Sequence, residues 1–148
     1  MTSRKNGGGD ETENRAFEAA VANAQAAVAG LSDKYIGWVT EDLQRLDTAI
    51  AAVRDSQDAA TLRNVYDVAH DIKGQGSTFG YRLVTEIAHL LCRYVDEASK
   101  RQQYDRTVVD AHVTALRTVI DNRIQGDAGD MGREILRALK DAAAKSLG

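Results

Sequence analysis

Apolar residues recur three and four apart along most of the chain, and no stretch shows the strict apolar–polar alternation of a half-buried strand. Phe17, Val21, Ala24 and Val28 mark a first, weakly apolar helix over 15–30, with Gly30 placed as its stop. Ser32 is then positioned to cap a second helix, over 33–55. Its apolar residues Ile36, Val39, Leu43, Leu46, Ile50 and Val53 form the seam of a helix lying nearly parallel to its neighbours in a bundle. Trp38 falls roughly 110° from that seam on a helical wheel, against the first helix or at a partner surface. After a short break at 56–58, Leu62, Val65, Ala69, Ile72 and Gly76 form the core stripe of a helix over 58–77. Leu83, Ile87, Leu90, Leu91, Tyr94 and Val95 give a broad apolar face to a helix over 81–102. Val108, Ala111, Ala115, Leu116 and Val119 define another over 106–124, capped by Asp105 or Thr107. A glycine-containing break follows, and Ile135, Leu136 and Leu139 sit on a last amphipathic helix within 127–148.

Short connections between long helices favour antiparallel neighbours. The expected fold is therefore all-α: an up-and-down four-helix bundle over 31–126 with additional N- and C-terminal helices, behind a mobile polar leader at 1–14.

Composition narrows the function. The chain has 148 residues, no proline and abundant alanine, enough for one helical domain with a proper core. A net charge of −3 with no basic, aromatic-interleaved patch argues against nucleic acid as a partner. Cys92 is the single cysteine, which excludes an internal disulfide and suits a reducing compartment. With no signal-like N-terminus and no apolar run approaching the ~18 residues of a membrane span, a cytoplasmic protein is expected.

The chemistry concentrates in Val68–Tyr81, V-A-H-D-I-K-G-Q-G-S-T-F-G-Y. Glycine in a helix interior costs about 1 kcal/mol relative to alanine, so Gly74 and Gly76 require a reason. By helical geometry His70 lies roughly 120° from the core stripe, and Tyr66, Lys73, Gly74 and Ser77 share its flank. An ammonium one turn from an imidazole disfavours the protonated ring, keeping the neutral form a nucleophile needs, and attracts a phosphoryl group once attached. Gly74 and Ser77 leave room for a second protein to approach the ring, Gly76 faces the bundle for close packing, and Gly80 ends the helix. A lone exposed histidine is ordinarily a surface residue; the mid-helix glycines are what a surface role does not account for.

The run Ala69–Tyr81, continuing through Glu86-Ile87-Ala88-His89-Leu90-Leu91, resembles the signature of histidine-containing phosphotransfer domains. It is especially similar to the form in the N-terminal domain of chemotaxis-type histidine kinases, and the bundle pattern fits over about Leu31–Gln125. The resemblance implies a phosphorelay carrier with His70 as phosphoacceptor, Lys73 as its electrostatic partner, and Gly74 and Gly80 on a receiver-docking surface. It also implies response-regulator receivers and a sensor histidine kinase as partners. Phosphoryl would come from a receiver aspartate or a kinase, with Mg²⁺ held at the partner's active site and no cofactor bound by this chain. Cys92 departs from the pattern, standing where many members carry a Glu or Gln that hydrogen-bonds near the active imidazole.

The sequence contains no nucleotide-binding motif, so phosphorylation of His70 from ATP by this chain alone is not expected. A zinc site on His89 and Cys92, with His70 nearby, lacks ligands to complete four-coordination. His112, amid an apolar stripe, reads as a hydrogen-bonded core or boundary residue, and Asp71 as a solvated charge. Two rival readings remain, a phosphotransfer domain cut from a larger chemotaxis-type kinase and a helical adaptor that binds receivers without carrying phosphate. A monomer is expected, since the only further apolar seams are the weak ones of the terminal helices.

Overall fold

In a computed structural model, residues 7–53 and 58–148 are described, all described regular structure being helical. The elements are α1 (Gly7–Ala52), α2 (Ala59–Gly76), a 3₁₀ turn (Ser77–Phe79), α3 (Arg82–Arg101), α4 (Arg106–Asp121) and α5 (Gly129–Leu147). The chain divides into two compact units, residues 1–35 and 36–148.

The first unit contains the opening turns of α1. Residues 15–30 and 33–55 were expected as separate helices, yet α1 runs uninterrupted through Gly30 and Ser32. Gly30 stops nothing because nothing forces a left-handed residue there; alanine precedes it, proline is absent, and an interior glycine costs only about 1 kcal/mol. Residues 7–14, expected within a mobile leader, also belong to this helix, whereas residues 1–6 lie outside the described residues.

The second unit is the bundle. Val39, Leu43, Leu46 and Ile50 of α1 are buried, as their spacing requires, together with Leu62, Val65, Ala69 and Ile72 of α2. Leu83, Ile87, Leu91 and Val95 of α3 and Val109, Leu116 and Val119 of α4 complete the core. Helices α1 and α2, and likewise α2 and α3, run antiparallel, because cross-contacts step in opposite directions along each pair. Arg45 meets Asp71 while Trp38 meets Phe79, and Tyr66 meets Cys92 while Lys73 meets Thr85. On the far side Asp47 pairs with Arg117, closing α4 onto α1.

Local chemistry sets the ends. Asp58 accepts a hydrogen bond from the Ala60 amide, and Asp105, of the two candidates, from the Thr107 amide at 2.9 Å. The expected break at 56–58 lies, apart from Asp58, outside the described residues. Trp38 has no separate first helix to pack on. Its ring stands edge-on to Phe79 at 5.7 Å and stays 45% exposed. Helix α5 lies along α3, buries Leu139, and is tied at its C-terminal end by Ser146 to the Tyr94 hydroxyl and by Arg101 to the Leu147 carbonyl.

Candidate functional site

Helix α2 buries Leu62, Val65, Val68, Ala69 and Ile72, so the remaining arc faces outward. His70 lies exposed on that arc, with Gly74 and Ser77 exposed one and two turns on, and Tyr66 and Lys73 half-buried. The wheel-derived flank is thus a real surface. Tyr66 and His70 stack with ring centroids 6.0 Å apart and planes 22° from parallel, and the Arg63 guanidinium lies 5.0 Å above the Tyr66 ring. The stack biases the ring's rotamer while its edge stays in water. Asp71, on the other side, makes an exposed ion pair with Arg45 of α1 at 3.7 Å.

The two glycines of the helix differ in kind. A Cβ built on Gly76 would sit 2.5 Å from the Thr85 hydroxyl and 2.9 Å from the Tyr81 carbonyl oxygen, so only glycine lets α3 come this close. Around Gly74 nothing lies within 4 Å, so packing places no demand on it. Gly80 has φ +88°, the left-handed turn that reverses the chain toward α3. Its carbonyl accepts the Gly126 amide at 2.7 Å, and the Gly126 carbonyl in turn accepts the Leu83 amide, clamping this turn to the segment after α4.

Thr85 does what sequence reasoning missed. Its hydroxyl donates to the Lys73 carbonyl at 2.9 Å and accepts from the Ser77 amide at 2.8 Å. It thereby satisfies one carbonyl and one amide where α2 tightens into the 3₁₀ turn, fixing the end of the helix that carries His70. The signal available was a threonine at the first turn of α3 facing a glycine of α2.

Cys92 is buried between α2 and α3, its thiol directed to the Tyr66 carbonyl at 3.8 Å. Burial pushes the thiol up to about 11, with Lys73 opposing and Asp67 adding. It is protonated at neutral pH and acts as a weak donor to the α2 backbone one turn before His70. Among the described residues no hydrogen bond joins it to the imidazole.

Lys73, one turn on from His70, also lines a groove of about 410 Å³ between α2, α3 and α5, with Thr85, Glu86, His89, Arg93 and Lys140. Glu86, the one carboxylate of that lining, is bound to Arg82 at 2.9 Å, so the groove is cationic. His89 registers this, its pKa lowered by burial first and then by Lys73 and Arg93, which keeps its ring neutral. No group of three His, Cys, Asp or Glu able to hold a metal occurs among the described residues. His112 is fully buried on α4, its Nδ1 2.8 Å from the Val108 carbonyl and its ring stacked on Tyr94. A carbonyl only accepts, so Nδ1 carries the proton and Nε2 has no protein partner.

A helical bundle that holds one exposed imidazole, one turn from a lysine lining a cationic groove, fits a class, the helical histidine phosphotransfer proteins. The Hpt domain family profile matches residues 30–126, and the chain belongs to that family. Members carry out histidine phosphotransfer in phosphorelays and generally interact with kinases and response regulators. The chain is also similar to chemotaxis protein CheA of Salmonella typhimurium (strain LT2), 40% identical over 48 residues, which cover 32% of this chain and 7% of CheA. It thus spans a small fraction of that relative's length. No solved structure matches the chain. Among the described residues no helix is long and apolar enough to cross a membrane.

Proposed function

We propose that this protein is a cytoplasmic phosphorelay intermediate whose phosphoacceptor is His70. The observation that carries the reading is the placement of the exposed His70 ring on α2, with Lys73 one turn on and open space around Gly74. Nε2 of the neutral ring attacks the phosphorus of a receiver's aspartyl phosphate. The N–P bond forms as the P–O bond to the aspartate breaks, and the aspartate leaves as a carboxylate. Attack leaves the ring cationic with its proton on Nδ1, and loss of that proton to water returns the phosphorylated ring to neutrality. Mg²⁺ belongs to the receiver's carboxylates, since the α2 flank presents no acidic cluster. Lys73 offsets charge on the phosphoryl oxygens, and Arg93 and Lys140 extend that positive field along the groove. The reverse transfer, from phosphohistidine to a second receiver, uses the same atoms.

Gly74, Ser77 and the Tyr66–His70 stack form the part of the docking face closest to the chemistry, and Gly80 supports it through the clamped turn. Cys92 contributes packing beneath the site rather than a hydrogen bond to the ring. Incubation with a ³²P-labelled phospho-receiver should transfer acid-labile, base-stable label to the wild-type chain and none to His70→Gln. Label retained on His70→Gln contradicts the assignment, and an unlabelled wild type that still binds receivers identifies an adaptor.

A further inference from the structure

The first unit of the molecule carries an exposed apolar seam. Phe17, Val21, Val28 and Leu31 are 70%, 38%, 65% and 48% exposed, and they are four of the six large exposed hydrophobic residues described. With Ala24 between them, also exposed, they follow the alternating four–three spacing of a coiled-coil seam over about 21 Å of helix. Val21 and Val28 take one core position of the repeat, and Phe17, Ala24 and Leu31 the other.

The charges flanking the seam select its partner. In a parallel pairing of two copies, Glu13 of each chain falls beside Glu18 of the other, two like-charge contacts along one short interface. An antiparallel pairing that sets Val21 against Ala24 and Phe17 against Val28 instead brings Glu13 beside Lys34, twice by symmetry. The same register places Ala20 beside Ala27, small enough for close approach, and Glu18 beside Gln25, so no like charges meet. Each core layer sets a larger residue against a smaller one, and Leu31 is covered by Asn14, whose amide reaches the solvated rim.

We propose that residues 13–34 of α1 form an antiparallel coiled coil with the same segment of a second copy of this chain, making the protein a two-fold dimer that carries two phosphotransfer bundles. The interface is short, so dimerisation is reversible and concentration-dependent.

The test is sedimentation equilibrium on the full chain from low to high micromolar concentration. A reversible monomer–dimer equilibrium is expected. The double variant Val21→Glu/Val28→Glu should dissociate at least ~100-fold more readily, because four carboxylates would be buried per dimer. The bundle of residues 36–148 should melt as in the wild type. Glu13→Lys and Lys34→Glu should each weaken the dimer several-fold, and the two together should restore it. A wild type that stays monomeric throughout the range overturns the proposal. So does a dimer indifferent to Val21→Glu/Val28→Glu, which would place the interface elsewhere. Strengthening by Glu13→Lys alone, as relief from Glu18 in a parallel pair would produce, overturns the antiparallel arrangement.

Discussion

Gly74 and Gly76 are two residues apart on one helix, yet the structure gives them opposite consequences. At Gly74 an added methyl meets nothing, so Gly74→Ala should stabilise the fold by about 0.5–1 kcal/mol through helix propensity alone. On the proposed reading the same methyl crowds a receiver's approach to His70, and transfer from a phospho-receiver should slow. A variant that melts higher and transfers more slowly separates stability from docking. At Gly76 the methyl collides with Thr85 and a Tyr81 carbonyl, and Gly76→Ala should cost about 2–3 kcal/mol in chemical denaturation. Thr85→Val removes both hydrogen bonds at the end of α2 at nearly constant volume and should cost about 1–3 kcal/mol. The role of Gly76 was legible because a glycine on an apolar helix stripe marks the point where a neighbouring backbone comes close. That of Thr85 was not, since its partners are backbone groups twelve and eight residues away that only the turn at Gly80 brings back.

At the scale of the element, helix cores were legible and helix ends less so. Stripes such as Leu83, Ile87, Leu91 and Val95 are periodic and became buried faces. Ends depend on single residues whose alternatives differ by about 1 kcal/mol, and at Gly30 the helix continues because nothing tertiary requires a turn. Gly30→Ala should therefore raise helicity by circular dichroism and stabilise α1 by about 0.5–1 kcal/mol. Loss of helicity on this change would mean that Gly30 is a left-handed cap. Phe17, Val21, Ala24 and Val28 were visible as a weak helix, but Leu31 lay beyond the expected stop at Gly30, and the sequence alone did not reveal that these residues are exposed.

For the molecule as a whole, the bundle is organised to present one imidazole and hide another. His112 is held neutral, its pKa lowered by burial against the smaller, raising effect of its bond to the Val108 carbonyl. Unfolding returns it to about its ordinary 6.5, so between that value and its folded one the unfolded chain binds more protons. The full contribution of His112 is present above pH 6.5 and is lost progressively below it; His89, lowered in the same direction, adds to the slope. Stability should therefore fall as pH drops from 7.5 to 5.5, and His112→Gln should flatten the fall. An unchanged slope in that variant would remove His112 as its source. The fold class and the flank around His70 were legible because helical periodicity and a glycine-rich motif are local. The cationic groove was not, because Lys73, Arg93 and Lys140 come from three helices.

The central claim concerns one atom among three histidines. After transfer from a phosphorylated receiver, ³¹P NMR with peptide mapping should find a single phosphoramidate, on Nε2 of His70, with His89 and His112 unmodified. Phosphate on His89, on His112 or on a carboxylate, with His70 unmodified, would contradict the account.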